Sequence, residues 1–419
     1  MDERRLAIVH EAYLCQRRQG QSGSVATRST DPTSKRVAGL SVGTRVLPRP
    51  KTGHANSSTY EFGGWGAPSY KACENYDESR DVKCISLFSG AGGLDVGASR
   101  AGAKILRAVE FDADAAHTLR LNLPDDAVVE HADVATLDFL RHRDENEDLI
   151  VIGGPPCQPF SKNGYWVRNE NRLIESDPRN MLSQFLRVVS EAKPRGFMLE
   201  NVESLRHPTN KQALEAFVSA AEGLGYVCTI ALANAADYGV PQKRKRVFIF
   251  GTRGAKAAMP QPKRLRSDDP SDGLPPHLGV GQFLKPFSSA RYYEPTEMVS
   301  GGTYEDELRH VPPGRNYMAL DELKGYEGRT FRRGGRFWNF LYKLHPDQPS
   351  ITVAAQPGPW VGPFHWNNRR LRAPEAAAIQ TFPVGYKFHG SRRSVQRQIG
   401  NAVPCLLGEA MVKHLIDHV

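Results

Sequence analysis

The 419-residue sequence has few cysteines and no long apolar run. Its six cysteines form no CxxC pair, which argues against a disulfide scaffold or a zinc finger, so no metal site is predicted. No stretch approaches the roughly 18 apolar residues that span a membrane, and no apolar leader follows Met1–Arg5. No internal repeat is visible. These absences predict a soluble intracellular protein, with no membrane partner.

The composition is that of a globular protein, with 40% hydrophobic and 24% charged residues, which excludes disordered and fibrous classes. The formal net charge is +9, and it is distributed unevenly. Residues 81–250 carry a slight acidic excess, whereas residues 251–419 are basic. A basic region suggests an anionic partner, of which nucleic acid is the commonest. The total charge is modest, however, and an ordinary solvated surface explains it nearly as well.

The chain divides into four regions by pattern. Residues 1–80 are rich in Gly, Ser, Thr and Arg and predict a flexible N-terminal extension. Residues 81–252, the predicted catalytic and cofactor-binding domain, alternate short apolar runs with helix-like segments. Residues 253–367 lose this rhythm and predict a smaller, irregular second domain. Residues 368–419 contain two helical stretches and are expected to return to the catalytic domain.

The alternation in residues 81–252 predicts a doubly wound, mostly parallel α/β sheet of the Rossmann-like type. Helix-like segments lie between the apolar runs, at Asp112–Leu121, Pro178–Ala192 and Lys211–Leu224. The predicted strands are Cys84–Phe88, Ile105–Glu110, Val128–His131, Leu149–Ile152, Gly196–Leu199, Tyr226–Ala231 and Val247–Phe250.

Suitable groups follow three successive predicted strands. The first strand runs into the glycine-rich turn Phe88–Gly93, where the backbone can approach a ligand closely. Glu110 ends the second strand, where a carboxylate can accept hydrogen bonds from ribose hydroxyls, and Asp133 follows the third. Each feature alone is more often packing or a solvated strand end. Together the three predict a nucleoside site.

Three further elements carry candidate chemistry. Cys157 lies in a loop constrained by three prolines and two glycines after the fourth predicted strand, which favours a presented thiol over a buried one. Glu200 follows the next strand and is a candidate acid. The basic run Gln242–Arg246 precedes the last strand and offers donors for phosphate and base oxygens. The alternative for the last two elements is a solvated helix start or strand start.

In combination, these motifs resemble those of the DNA (cytosine-5)-methyltransferase family. The ordered elements are Phe88–Gly93, Gly154–Ser161, Glu200–Val202, Gln242–Arg246 and Gln398–Val403. The resemblance covers roughly residues 82–252 and 368–417. Single motifs arise by chance, but five in this order do not readily do so. The absence of large regulatory domains favours a bacterial restriction–modification enzyme.

The resemblance implies methyl transfer from S-adenosyl-L-methionine to C5 of a cytosine in duplex DNA. The target base would be flipped out of the helix, and Cys157 would add to C6 of the ring. Glu200 would hydrogen-bond the ring and stabilise the adduct. Arg246 would hold the cytosine O2, with Arg244 near the backbone.

The resemblance also assigns binding residues. The implied cofactor contacts are Phe88, Ser89, Gly90, Ala91, Gly92, Gly93, Glu110, Asp133, Val134, Pro155, Asn401, Ala402 and Val403. The implied DNA contacts are Ser161, Gln242, Arg329, Arg332, Arg333 and Arg336. The last four form a cluster in residues 253–367, the family's target-recognition region, and a solvated basic loop is the alternative explanation for them.

Two rival functions share these motifs. A related enzyme that methylates tRNA usually has a more compact recognition region, so the 115 residues between Arg253 and Asn367 favour DNA. A catalytically silent DNA-binding homologue would not need intact Cys157 and Glu200 elements. We expect a monomer in the prokaryotic cytoplasm, associated with the nucleoid, whose cognate restriction endonuclease would be a separate chain.

Overall fold

In the computed structural model, the described residues are 59–61, 81–142, 148–156, 181–254, 256–264, 273–323, 331 and 337–419. In chain order the strands are β1 (Thr59–Glu61), β2 (Lys83–Leu87), β3 (Lys104–Glu110), β4 (Val128–His131), β5 (Leu149–Gly153), β6 (Gly196–Val202), β7 (Val227–Asn234), β8 (Lys245–Thr252), β9 (Phe364–His365), β10 (Arg369–Arg370) and β11 (Lys387–His389).

The central element is a seven-stranded sheet in the order β4-β3-β2-β5-β6-β8-β7. Strands β4, β3, β2, β5 and β6 are parallel to one another, while β8 is antiparallel to both β6 and β7. All seven predicted strands are present, which confirms the mostly parallel α/β class. The reversed β8 was not predicted, because an apolar run carries no signal for its direction.

Helices cover both faces of the sheet. In chain order the helices of the described residues are α1 (Gly93–Arg100), α2 (Ala113–Arg120), α3 (Met181–Ala192), α4 (Lys211–Gly223), α5 (Gly281–Leu284), α6 (Glu305–His310), α7 (Ala373–Ile379), α8 (Arg392–Asn401) and α9 (Cys405–Ile416). Residues of α1 and α9 pack with one set of inward-facing strand side chains, and residues of α3 and α4 pack with the other set. Neighbours such as Ile150 and Val151 point to opposite faces, as the two-residue period of a strand requires.

The C-terminal helix α9 packs directly against α1, the helix that follows strand β2. Glycines permit this approach, since a Cβ on Gly97 would meet the backbone nitrogen of Glu409 at 2.5 Å. At Gly408 a Cβ would meet Leu94 at 3.3 Å. The sequence predicted one helical stretch over Val403–Ile416 here. The structure shows this helix as α9, which begins two residues later, at Cys405, after Pro404.

The segment between β8 and β9 contains only short helices and turns in its described part. Its small core is formed by Leu308, Val311, Tyr317, Leu320, Phe340, Leu341 and Phe364. Aromatic rings stack within it, as Phe331 and Phe340 do with centroids 4.0 Å apart. This architecture agrees with the irregular pattern of residues 253–367, while the domain boundaries stay predictions.

The predicted N-terminal extension contains β1, which pairs antiparallel with β11 near the C-terminus. Strand β11 is held to the end of α2 because Asn122 donates to the carbonyl of Lys387 and accepts from its amide, at 2.7 and 2.9 Å. Within the described ranges, none of the helices has the length and apolarity that a bilayer crossing requires.

Candidate active site

The candidate residues converge because four strands end at the same edge of the sheet. Leu87 of β2 pairs with Val109 of β3 and with Gly153 of β5, and Gly153 pairs in turn with Leu199 of β6. The residues that follow these positions therefore share one edge. This is the edge, at the point where the strand order reverses between β2 and β5, where open α/β sheets bind ligands.

The glycine-rich turn after β2 is fixed by the carboxylate of Glu110. The amide of Gly90 donates to Glu110 Oε2 at 2.7 Å, and the amide of Asp112 donates to Oε1 at 2.7 Å. Burial raises the pKa of Glu110, and these backbone donors oppose that rise. Each oxygen retains a further lone pair for a ligand. Phe88 enters the turn with a positive φ of 55°.

The inner side of the same turn contacts the C-terminal region. Gly93 lies so close to the carbonyl oxygen of Val403 that no Cβ fits between them, and Ala402 is adjacent. The hydroxyl of Tyr386 donates to the carbonyl of Ala91 at 2.6 Å. The structure thus brings Asn401–Val403 to the glycine-rich turn. Sequence reasoning missed Tyr386, because a single tyrosine outside a motif carries no signal.

The ends of β3 and β4 provide one further group that the sequence did not single out. Phe111 follows Glu110 and is 74% exposed, although its neighbours are partly buried. Asp133 caps the short turn after β4 by accepting from the amide of Ala135 at 3.0 Å, and Val134 is buried beside it. The sequence did contain a signal for Phe111, because it places an aromatic residue directly after the carboxylate that ends a strand.

The loop after β5 passes directly beside Glu200. A Cβ on Gly154 would lie 2.9 Å from Glu200 Oε2, so a larger residue here would require the Glu200 carboxylate to shift. Pro155 is buried, and its carbonyl accepts from the side-chain amide of Asn201 at 3.4 Å. Cys157 and Ser161, which continue the loop, lie outside the described residues, so their predicted roles stay predictions.

Glu200 and Arg246 form an ion pair at this edge. Arg246 Nε lies 2.8 Å from Glu200 Oε1, and the side chains are 14% and 12% exposed. The pair forms because β8 runs antiparallel to β6, which sets Arg246 opposite Val202, two residues beyond Glu200. Arg246 Nη1 also donates to the carbonyl of Lys245 at 2.8 Å. The pair is partly buried but open to a ligand.

Arg244 and Gln242 point into the protein instead. Arg244 is 2% exposed, and its guanidinium donates to the carbonyls of Val353 at 3.4 Å and Asn401 at 3.3 Å. Burial lowers its pKa well below the usual value. Gln242 is fully buried and bonded to Gln380. These positions favour positioning roles; the predicted catalytic role of Arg244 and DNA contact of Gln242 stay predictions.

The predicted recognition arginines Arg329, Arg332, Arg333 and Arg336 lie outside the described residues. Two aromatic residues next to that cluster, Phe337 and Trp338, are 41% and 52% exposed. Asn316 donates to the carbonyl of Trp338 at 2.6 Å, which fixes the backbone at this point. Exposed aromatic side chains beside basic residues are suited to nucleic-acid contact.

The chain is similar to known proteins over most of its length. Residues 82–417 match the family model described as C-5 cytosine-specific DNA methylase. The chain is 37% identical over 380 residues to the Type II methyltransferase M.SacI of Streptomyces achromogenes, covering 81% of this chain and 94% of that protein. It is 34% identical over 342 residues to M1.HphI of Haemophilus parahaemolyticus, covering 79% and 86%.

Solved structures show the same fold at lower identity. A proposed DNA modification methyltransferase encoded within an E. coli prophage aligns with a TM-score of 0.54 and 24% identity, over 81% of this chain and 99% of that one. A mutant of DNMT2 from Spodoptera frugiperda aligns with a TM-score of 0.56 and 16% identity, over 80% and 99%. At these identities, the likeness establishes the fold alone.

Proposed function

The chain belongs to the C-5 cytosine-specific DNA methylase family and is a DNA (cytosine-5)-methyltransferase, and we propose that it methylates one cytosine within a specific duplex site. The observation that carries this proposal is the Glu200–Arg246 pair beside Gly154, at the same sheet edge as the Phe88–Gly93 turn. A carboxylate and a guanidinium that hold each other can recognise the polar edge of a pyrimidine. The turn offers a separate site for the methyl donor.

The residues at the turn fit S-adenosyl-L-methionine. A Cβ on Gly90 would meet no atom within 4 Å, so the outer side of the turn is open to a ligand. Glu110 would accept from the ribose hydroxyls, Phe111 would contact the adenine ring, and Asp133 would accept from its amino group. Asn401–Val403 would lie beside the methionine part. When bound, the cofactor supplies an electrophilic methyl group.

Cys157 would act as the nucleophile of this reaction. Its proposed role rests on the Pro-Pro-Cys-Gln-Pro-Phe-Ser sequence and on the described start of the same loop, which passes Glu200. Attack of the thiolate on C6 forms a C–S bond and makes C5 an enamine carbon that can accept the methyl group. Loss of the C5 proton and cleavage of the C–S bond then restore the aromatic ring and the thiolate.

Glu200 and Arg246 would stabilise the reacting base. Glu200 would hydrogen-bond N3 and the exocyclic amine, where charge develops when the thiol adds. Arg246 would donate to O2 and keep the Glu200 carboxylate oriented. Because a stacked base cannot reach this edge, the target cytosine would have to flip out of the duplex, at a cost of a few kcal/mol. Contacts with the DNA backbone would offset that cost.

Residues 253–367 would read the target site. Their described part contains a small aromatic core, and the exposed Phe337 and Trp338 lie beside the predicted arginine cluster. Arginines read guanine edges and phosphates, so an arginine cluster in this region would suit duplex DNA. We propose that the enzyme acts as a monomer and is the modification half of a restriction–modification system, with the endonuclease as a separate protein.

The test is methyl transfer from labelled S-adenosyl-L-methionine to duplex DNA and, in parallel, to tRNA. Wild type is compared with Cys157→Ala, and bisulfite sequencing locates the methylated base. We expect label at one cytosine of a short fixed site, abolished in the variant. Transfer to tRNA alone would contradict the proposed substrate. DNA binding without transfer would identify a catalytically silent homologue.

A further inference from the structure

A chain of buried side-chain amides connects two segments of the proposed active site. One is Asn401–Val403, on the side of the cofactor, and the other precedes Arg246, on the side of the target base. Gln242 and Gln380 are both fully buried. The amide of Val353 donates to Gln242 Oε1 at 2.9 Å, and Gln242 Nε2 donates to Gln380 Oε1 at 2.7 Å. Gln380 Nε2 donates in turn to the carbonyls of Ile399 at 2.6 Å and Ala402 at 3.2 Å.

The direction of this chain is determined by its ends. The carbonyls of Ile399 and Ala402 accept only, so Gln380 must turn its NH₂ group toward them and its oxygen toward Gln242. Gln242 must then offer its NH₂ group to Gln380 and its oxygen to the amide of Val353. A flip of either side chain would place like groups together in a dry interior, which is strongly unfavourable.

Each end of the chain leads to a proposed functional segment. Gln242 lies four residues before Arg246, which pairs with Glu200. Ala402 lies within Asn401–Val403, whose last carbonyl contacts Gly93 of the glycine-rich turn. Arg244 spans the same gap, since it donates to the carbonyls of both Val353 and Asn401. Gln380 thus bonds directly to the Asn401–Val403 segment. Through Gln242 it is also connected to the strand that carries Arg246.

We propose that Gln380 is a positioning residue for methyl transfer. It holds the Asn401–Val403 backbone in a fixed place relative to the strand that carries Arg246, and so sets the distance between the methyl donor and the target base. This assignment rests on the proposed function. Group transfer is sensitive to small misplacements, and an error of about 1 Å can lower a rate by about 100-fold. Gln380 therefore acts on rate more than on affinity.

The primary test is Gln380→Met, which keeps the length of the side chain and removes its hydrogen bonds. The single-turnover rate of methyl transfer should fall by about 10–100-fold, while Kd for S-adenosylhomocysteine and for duplex DNA should change by less than about threefold. Gln242→Met should show the same separation of rate from affinity. The double variant should lose less than the two single losses multiplied together, because both break one connection.

Asn122→Leu is the matched control. Asn122 also makes three side-chain bonds to backbone, to Thr118 and Lys387, but it joins α2 to β11, and none of these bonds is to a member of the chain of amides. The thermal stability of Asn122→Leu should fall as that of Gln380→Met does, while the methyl-transfer rate of Asn122→Leu should stay near wild type. Provided that wild type is active, either of two results would overturn the assignment. One is a folded Gln380→Met enzyme with the wild-type rate, and the other is an equal loss of rate in Asn122→Leu. An inactive wild type would overturn the proposed function as well.

Discussion

The two halves of the active-site edge are held by different kinds of contact. On the cofactor half, one carboxylate, Glu110, accepts two backbone amides, and Gly93 packs against the backbone of Val403. On the base half, two charged side chains, Glu200 and Arg246, hold each other at 2.8 Å. In the proposed function, the first half would hold the bound cofactor, while the second would present charge to the reacting ring. Loss of a side chain proposed to contact the cofactor should alter affinity, and loss of a charged side chain proposed to contact the base should alter rate.

The largest effect is expected on the base half, from Glu200→Gln. The glutamine can still accept from Arg246, but it carries no charge and provides no acid, so the single-turnover rate should fall about 100-fold or more. Affinity for S-adenosylhomocysteine, measured by calorimetry, should stay near wild type. Glu203→Gln is the control, since Glu203 is exposed and its nearest cation, Lys245, is 3.7 Å away. A Glu200→Gln enzyme that lost affinity for S-adenosylhomocysteine but kept the wild-type rate would contradict this division of roles between the two halves.

On the cofactor half, Glu110→Gln should give the opposite pattern. The glutamine accepts from only one of the amides of Gly90 and Asp112 and sets its NH₂ group against the other. Loss of a hydrogen bond to a charged group costs about 1.5–3 kcal/mol, so Kd for S-adenosylhomocysteine should rise about 10–100-fold. DNA affinity should not change. The exposed Glu222→Gln serves as the control, and an unchanged Kd in Glu110→Gln would show that the carboxylate does not shape the turn.

A smaller effect is expected from Gly93→Ala, which tests the contact with Val403. The new methyl group has no space against the Val403 carbonyl, so α1 or α8 must shift. Overpacking of this kind costs about 1–3 kcal/mol of unfolding free energy, which a denaturant titration measures. Gly223→Ala is the matched control, because a Cβ there meets nothing within 4 Å and Gly223 ends a helix. Equal stability of Gly93→Ala and wild type would contradict the tight contact.

The smallest effect concerns Asp95, which is fully buried in the first turn of α1. Burial raises the pKa of Asp95 from 3.8 to about 6. The folded protein therefore binds this proton more tightly than the unfolded chain, so stability falls as pH rises from about 4 to 6 and the loss persists above that range. Asp95→Asn removes this penalty and should gain part of the roughly 3 kcal/mol that a shift of about two pKa units represents at pH 7.5.

Thermal melts across pH check that prediction. The advantage of Asp95→Asn over wild type should shrink as pH is lowered toward 4, because both side chains are then neutral. Asp125→Asn, at an exposed position, should follow wild type at every pH. A constant difference between Asp95→Asn and wild type across the range would contradict the proposed burial effect.

The sheet could be predicted from sequence because buried strands are continuous apolar runs between helix-like segments. The residues after Leu87, Val109, Gly153 and Leu199 could be grouped for the same reason, since parallel strands end at one edge. The pairing of Glu200 with Arg246 could not be predicted, because it depends on the reversed direction of β8. No local pattern encodes that direction.

The long-range hydrogen bonds were also beyond sequence reasoning. Gln242 and Gln380 are separated by 138 positions, and Tyr386 meets Ala91 across 295. Such bonds depend on how the C-terminal segment folds back over the sheet, which is a matter of tertiary packing, including that of α1 against α9. The family resemblance implied a catalytic role for Arg244, and nothing in the sequence indicated that its side chain is buried.

The central claim is that both halves of the edge act on one cytosine while it is covalently bound to Cys157. The most direct test uses duplex DNA containing 5-fluorocytosine. The enzyme is incubated with this DNA and S-adenosyl-L-methionine, and covalent complexes are digested and analysed by mass spectrometry. Fluorine at C5 cannot leave as the proton does, so the C–S bond should persist. We predict a denaturant-resistant complex whose methylated base is attached to the peptide containing Cys157. Methylation of ordinary DNA without any covalent complex, or attachment at another cysteine, would contradict the account.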